Sequence, residues 1–165
     1  MARPFFALND FLILMSIVRA RPEDAKRLTD IAFAAKRHWR YPESWMQSWR
    51  DLLTILPEFI TNHETYAALL DQRIVGFYAL GVTGRKMDLK HLWVLPEAMG
   101  KGIGRSLFMH ALQRVHECGG REVEIESDPN AEGFYQRMGA RRVGINAKEL
   151  DGQRRELPIL IYEMK

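Results

Sequence analysis

Apolar positions along this chain fall alternately into runs with the period of a strand and runs with the period of a helix. Ser16–Ala20 opens as a strand. Pro22, followed by Glu23 and Asp24, marks a helix start, and Leu28, Ile31, Ala32 and Ala35 give that helix one apolar face. The spacing of Trp45, Trp49, Leu52, Leu53 and Leu56 predicts a second helix over Glu43–Leu56, ended by Pro57. Tyr66–Leu70 and Ile74–Leu80 read as strands of a hairpin joined by the polar Asp71-Gln72-Arg73, and a fourth strand covers Met87–Leu95. Ile103, Leu107, Phe108, Ala111, Leu112 and Val115 line one side of a helix that Gly119-Gly120 stops. Val123 and Ile125 alternate with glutamates as a fifth strand. A short helix over Asn130–Met138 and strands near Arg141–Ile145 and Leu157–Glu163 complete the order. The alternation predicts a single α/β domain with a mixed central sheet of about six or seven strands and helices on both faces. No internal repeat, low-complexity tract or second domain interrupts it.

Composition narrows the class without naming a function. At 165 residues, 47% hydrophobic and 27% charged, the chain can bury a core without disulfides. One cysteine, Cys118, excludes a disulfide framework and fits a reducing compartment, so a cytoplasmic location is expected. A net charge of +3 is mild, and no dense Lys/Arg stripe argues for nucleic acid. Phe5–Val18 is mostly apolar but is broken by Asn9, Asp10 and Ser16, too short to span a bilayer, and unlike a signal peptide. No membrane partner is expected.

Leu92-Trp93-Val94-Leu95-Pro96-Glu97-Ala98-Met99-Gly100-Lys101-Gly102-Ile103-Gly104-Arg105 carries the candidate chemistry. A strand-like run ends at a proline, and a glycine-dense loop opens into a helix whose first-turn N–H groups and dipole favour phosphate. A tight turn that binds nothing has the same outline. A Walker A loop is excluded, because no glycine here is followed by Lys and then Ser or Thr. A dinucleotide fingerprint is excluded because Leu107 stands where its third glycine belongs.

The loop resembles the pyrophosphate loop of the GNAT superfamily of N-acetyltransferases, Gln/Arg-x-x-Gly-x-Gly/Ala, with Met99 in place of the Gln/Arg. Asn130-Ala131-Glu132-Gly133-Phe134-Tyr135-Gln136-Arg137-Met138-Gly139-Ala140 resembles that family's second CoA motif, Asn-x-x-x-Phe-Tyr-x-x-x-Gly-Ala/Phe. The resemblance runs from Asp88 to Gly144 and more weakly from Val18 to Leu80. It implies transfer of acetyl from acetyl-CoA to a primary amine, on a small molecule or a peptide, by direct attack in a ternary complex. It also implies a cofactor site of Leu92, Trp93, Val94, Met99, Gly100, Lys101, Gly102, Ile103, Gly104, Arg105, Asn130 and Tyr135. An oxyanion donor from a fourth-strand bulge is expected at Trp93, Val94 or Leu95, and a homodimer is common in the superfamily. A silent acyl-CoA-binding sensor with the same fold is the alternative.

Transfer to an amine needs that amine neutral, yet a lysine-like amine has a pKa of about 10.4. The leaving thiolate needs a proton, which the resemblance assigns to Tyr135 as general acid. For the base it points to Asp88, acting directly or through a water relay, and a solvated strand-end carboxylate is the other reading of that residue. His91 and Glu126 are further options, although strand alternation sets 89, 91 and 93 on one face and 88 and 90 on the other unless a bulge intervenes. Asn130 either caps the following helix or reaches toward pantetheine and acceptor. Lys101 and Arg105 either pair with phosphates or are solvated, and Ser106 reads as a helix-start residue. Cys118 lies too far from the loop for a nucleophile and reads as a buried or half-buried thiol. The histidines show no metal-ligand spacing, so no metal is expected. In the family the first two helices wall the acceptor; here Trp45 and Trp49 read as core, leaving Trp39 and Tyr41 for a substrate pocket, with Asn146–Glu156 as a polar flap. Family members begin at the first strand, so residues 1–15 are read as an N-terminal extension, with Met15 as the natural start and the first fourteen residues an extension or an annotation artefact, and 16–165 as the acetyltransferase domain.

Overall fold

Two tight turns set the strand pairing at either end of the molecule. In the computed structural model, which describes residues 15–83 and 86–165, Asp71 and Gln72 lie at φ 49° and 64°. That is the type I′ geometry whose twist matches the strands it joins, here β2 (Glu64–Leu70) and β3 (Arg73–Thr83). Asp151 and Gly152, at φ 50° and 72°, join β6 (Arg141–Leu150) to β7 (Gln153–Glu163) in the same way. Gln72→Gly is therefore expected to raise the unfolding free energy by roughly 0.5 kcal/mol, read from a denaturant midpoint. Relief of about 1–2 kcal/mol of left-handed strain outweighs the entropy that glycine adds to the unfolded chain.

Together with β1 (Met15–Arg19), β4 (Lys86–Val94) and β5 (Glu122–Glu126), these strands form one seven-stranded sheet in the order β1-β2-β3-β4-β5-β7-β6. All neighbours are antiparallel except β4 and β5. The parallel pair requires a crossover, which α5 (Ile103–Glu117) supplies. Its six expected apolar residues are all buried. α5 and α6 (Glu132–Arg137) cover one face, where Tyr78 meets His110 and Phe108 meets Phe134. The opposite face carries α1 (Ala25–Arg37), α2 (Glu43–Ser48), α3 (Arg50–Leu53) and α4 (Pro57–Asn62), with Phe59 against His91. The single α/β sheet with helices on both faces matches the reading of the sequence.

Three elements differ from that reading. The helix expected over Glu43–Leu56 is broken, because Trp49 leaves helical geometry between α2 and α3. Leu52 and Leu56 are 66% and 56% exposed rather than core. The residue before a proline avoids the helical region, and Leu56 is extended. Pro57 accordingly starts α4 instead of ending its predecessor. The helix expected over Asn130–Met138 begins as a 3-10 turn at Pro129–Ala131 and becomes α6 only at Glu132. The polar flap expected over Asn146–Glu156 is strand, the far end of the β6–β7 hairpin, whose alternation hides in a run of polar residues. Cys118 is exposed, not buried. Most of the extension expected over residues 1–15 lies outside the described residues, and Met15 is already in β1. Among the described residues no helix is long and apolar enough to cross a membrane.

Candidate active site

The site follows from how little β4 and β5 touch. Among the described residues they pair only at Met87–Val123 and Asp88–Glu124, and beyond that point they separate, so Leu89–Val94 has β3 as its only strand partner among the described residues. The gap is a cleft of about 560 Å³ that passes through the sheet. Ala35, Trp39, His91 and Trp93 line it on the α1 side, and Phe134, Arg137 and the glycine loop on the α6 side. Two molecules can thus approach one another from opposite faces.

At the cofactor end, Gly100 and Gly102 adopt φ 75° and 80°. A Cβ at either would meet nothing within 4 Å, so glycine is needed there for backbone conformation rather than for packing. Gly102 is the N-cap of α5 and makes no side-chain cap. The first intrahelical bond runs from Ser106 N to Gly102 O at 3.0 Å, which leaves the preceding first-turn N–H groups free for an anion. Met99, Gly100, Gly102, Gly104 and Arg105 line the cleft with Leu92, Trp93 and Val94. Lys101 and Ile103 do not: Lys101 is exposed and Ile103 is buried under the helix.

Tyr135 is 6% exposed and packs edge-on against Phe108 and Phe134. Its hydroxyl makes no hydrogen bond to a described residue, and the residue lines the cleft. Burial, and secondarily the charge of Asp128, pushes its phenol well above the usual range. The phenol therefore stays protonated at any working pH, as a donor to a leaving sulfur must. Glu126 and Asp128 are the carboxylates that line the cleft among the described residues. Burial alone raises the Glu126 pKa, but Lys148 Nζ and Asn146 Nδ2, each at 2.6 Å, hold it low. Asp128 behaves alike, its burial outweighed by Lys36 Nζ at 2.5 Å and by bonds from Asn130 and Tyr41. Neither is a ready base.

The profile of the acetyltransferase (GNAT) domain matches residues 46–153, more than half of the chain. The chain belongs to the GNAT acetyltransferase family. The peptidyl-lysine N-acetyltransferase YjaB of Salmonella typhimurium is 29% identical over 156 residues, covering 90% of this chain and 97% of that protein. In fold the chain resembles the PaiA N-acetyltransferase of Thermoplasma acidophilum, solved with coenzyme A. The TM-score is 0.72 at 21% identity, over 92% of this chain and 99% of that one. YncA of Salmonella typhimurium, solved with its cofactor acetyl-CoA, gives 0.67 at 16% identity, over 92% and 95%.

In this GNAT acetyltransferase the β4 bulge is not where the resemblance places it. Ala79 pairs with His91 and Leu80 with Leu89, so Lys90 is the extra residue, upstream of the expected Trp93–Leu95. The bulge resets the alternation and puts Asp88, Lys90, His91 and Trp93 on one face. Asp88 does not line the cleft. Lys90 does, and its Nζ lies 2.5 Å from Asp88 Oδ2. Asp88 Oδ1 is buried without a hydrogen-bond partner among the described residues, close to Gly81. Tyr41 is not a free aromatic face: its hydroxyl is bonded to Asp128, and its ring stacks on Trp45. Trp39 is exposed at the cleft. No group of His, Cys, Asp and Glu among the described residues is arranged to hold a metal. Sequence reasoning missed Lys36, Lys90, Asp128 and Arg137. Only Asp128 left a signal, as an Asx cap before Pro129.

His91 is buried beside Trp93. Trp93 Nε1 donates to its Nδ1 at 3.0 Å, which assigns the ring proton to Nε2. Burial first, then the neighbouring His63 and Lys90, lowers its pKa to about 4. An unfolded histidine binds its proton near pH 6.5, so between about pH 6.5 and 4 the unfolded chain binds more protons than the folded one. Stability should rise with pH across that window, by up to about 3 kcal/mol. Thermal unfolding at pH 5 and pH 7 is expected to show the loss at acid pH in the wild type and a smaller one in His91→Phe.

Proposed function

We propose that this acetyltransferase moves the acetyl group of acetyl-CoA to a primary amine by direct attack within a ternary complex. The observation that carries the reading is the cleft through the sheet. It has the free first turn of α5 on one side, Tyr135 in its lining, and Trp39 on the other side for the acceptor. The unpaired side of β4 offers backbone groups to the pantetheine amides, as an added strand would. The α5 N-terminus and the loop take the pyrophosphate, and Tyr135 donates to the departing sulfur. Asp88 is ion-paired with Lys90 and does not line the cleft, and His91 holds its proton on Nε2. The amine proton therefore leaves through water. Nothing in the site favours a silent sensor, since a binder has no use for an unbonded phenol beside the cleft.

The acceptor is a primary amine, and the likeness to a peptidyl-lysine acetyltransferase makes lysyl peptides the first class to try. Calorimetry with acetyl-CoA, followed by thiol release over lysyl peptides, N-terminal amines, amino acids and polyamines, tests the reading. Micromolar binding with release on one class supports transfer, binding without release on any class favours the sensor, and no binding overturns both. A cytoplasmic location and a homodimer belong to the same proposal, to be read by cell fractionation and sedimentation. N-terminal sequencing of native protein that begins at Met15 would support residues 1–14 as an extension, and a start at Met1 or Ala2 would overturn it.

A further inference from the structure

One buried cluster beside the cleft has no part in the steps above. Lys36 from the last turn of α1, Tyr41 from the loop before α2, and Arg155 from β7 converge on Asp128, just after β5. Asp128 Oδ2 takes Lys36 Nζ at 2.5 Å and Tyr41 Oη at 3.0 Å, with an Arg155 nitrogen at 3.7 Å. Asp128 Oδ1 takes Asn130 N at 2.9 Å, Asn130 Nδ2 at 3.0 Å and Tyr41 Oη at 2.9 Å. Both cations sit against rings. Lys36 Nζ lies 4.2 Å from the Trp49 centroid, and the Arg155 guanidinium 4.8 Å from it and 5.3 Å from that of Trp45. The aromatic box that a cationic substrate would need is thus filled by the chain's own cations.

Hydrogen accounting fixes the Asn130 side chain. An ionised carboxylate only accepts, so the Tyr41 hydroxyl hydrogen goes to Asp128. Tyr41 Oη then accepts from Asn130 Nδ2 at 2.9 Å and Arg155 Nη2 at 3.3 Å. The Asn130 amide nitrogen therefore faces both Asp128 Oδ1 and Tyr41 Oη, which lie 2.9 Å apart and share its hydrogen. Turning the amide over would set its oxygen against the carboxylate. Its Oδ1 has no partner among the described residues, and Asn130 lines the cleft.

We propose that Asp128, clamped by Lys36 and Arg155, is a positioning residue that orients the Asn130 amide so that its Oδ1 receives an N–H of the incoming amine. An amide oxygen suits the task. A free carboxylate there would stabilise the ammonium, which cannot attack, whereas a neutral acceptor aims the amine without favouring its charged form. The proposal rests on the reading of the cleft as an acetyl-transfer site.

A double-mutant cycle tests it, read by thiol release with the acceptor amine and by acetyl-CoA calorimetry. Asp128→Asn is expected to lower kcat about tenfold or more and to leave acetyl-CoA affinity within about threefold. In an Asn130→Ala background the same change is expected to cost less than about twofold, because its effect passes through Asn130. Losses that multiply independently, or a fully active Asp128→Asn, would overturn the proposal. If Asp128→Asn does not fold, Tyr41→Phe carries the same cycle while keeping every charge. A readout without turnover separates this proposal from the activity itself. In ¹⁵N-labelled protein the Asn130 side-chain amide should shift and exchange faster in Tyr41→Phe; an unchanged amide overturns the positioning role even if no acceptor has been found.

Discussion

Tyr135→Phe is expected to cut turnover about a hundredfold, the low end of what a positioned general acid contributes, while acetyl-CoA affinity changes less than about threefold. The fold should be indifferent, because the ring packs on Phe108 and Phe134 and the hydroxyl has no described partner. Burial and the Asp128 charge hold the phenol protonated, so its ionisation adds no limb to the wild-type pH profile at any ordinary working pH. In the variant a more acidic leaving thiol should recover part of the loss, since it departs with less need of a proton. Thiol release by wild type and variant, with acetyl-CoA and an acetyl thioester of a more acidic thiol, decides the matter. Equal turnover would remove Tyr135 from the chemistry and restore the silent binder as the better reading.

Gly102→Val is expected to weaken acetyl-CoA binding at least tenfold and to lower the melting temperature. A β-branched side chain at φ 80° is strained by about 1–3 kcal/mol, and relief by rotation would move the N-terminus of α5. Gly104→Ala separates binding from stability. Its Cβ would lie 3.6 Å from the Phe134 ring, an ordinary contact, and alanine favours a helix over glycine by about 0.5–1 kcal/mol. Calorimetry should therefore show Gly104→Ala weakened for acetyl-CoA but no less stable, if the pyrophosphate approaches the backbone here.

The parts of the molecule fixed by local chemistry were legible in the chain. Period and punctuation gave the strand and helix order, because each apolar face follows from its own repeat. The two motifs placed the glycine loop and Tyr135 beside one cleft because both sit where a strand meets a helix. What escaped depends on which segments meet. Trp45, Trp49 and Leu52 keep helical spacing, but Trp49 leaves the helix where its ring lies beside Lys36. Lys36 stands at a helix end and Arg155 in a polar run, yet each is nearly buried beside Asp128, 92 and 27 residues away along the chain respectively. The bulge at Lys90 likewise follows from how β3 and β4 register, and no residue type in β4 announces it.

The two-position seam between β4 and β5 has a consequence for motion as well as for chemistry. Residues 15–94 and 122–163 form two strand sets joined by that seam and by α5, so the seam is the natural place for the native state to breathe. Deuterium should enter the backbone of Leu89–Val94 on its unpaired side sooner than it enters β2 or β3. A bound acetyl-CoA, lodged between the halves, would then act as the missing rungs of the ladder. Slower exchange on both banks of the cleft, and a melting temperature that climbs with cofactor concentration, would make the ligand part of the sheet.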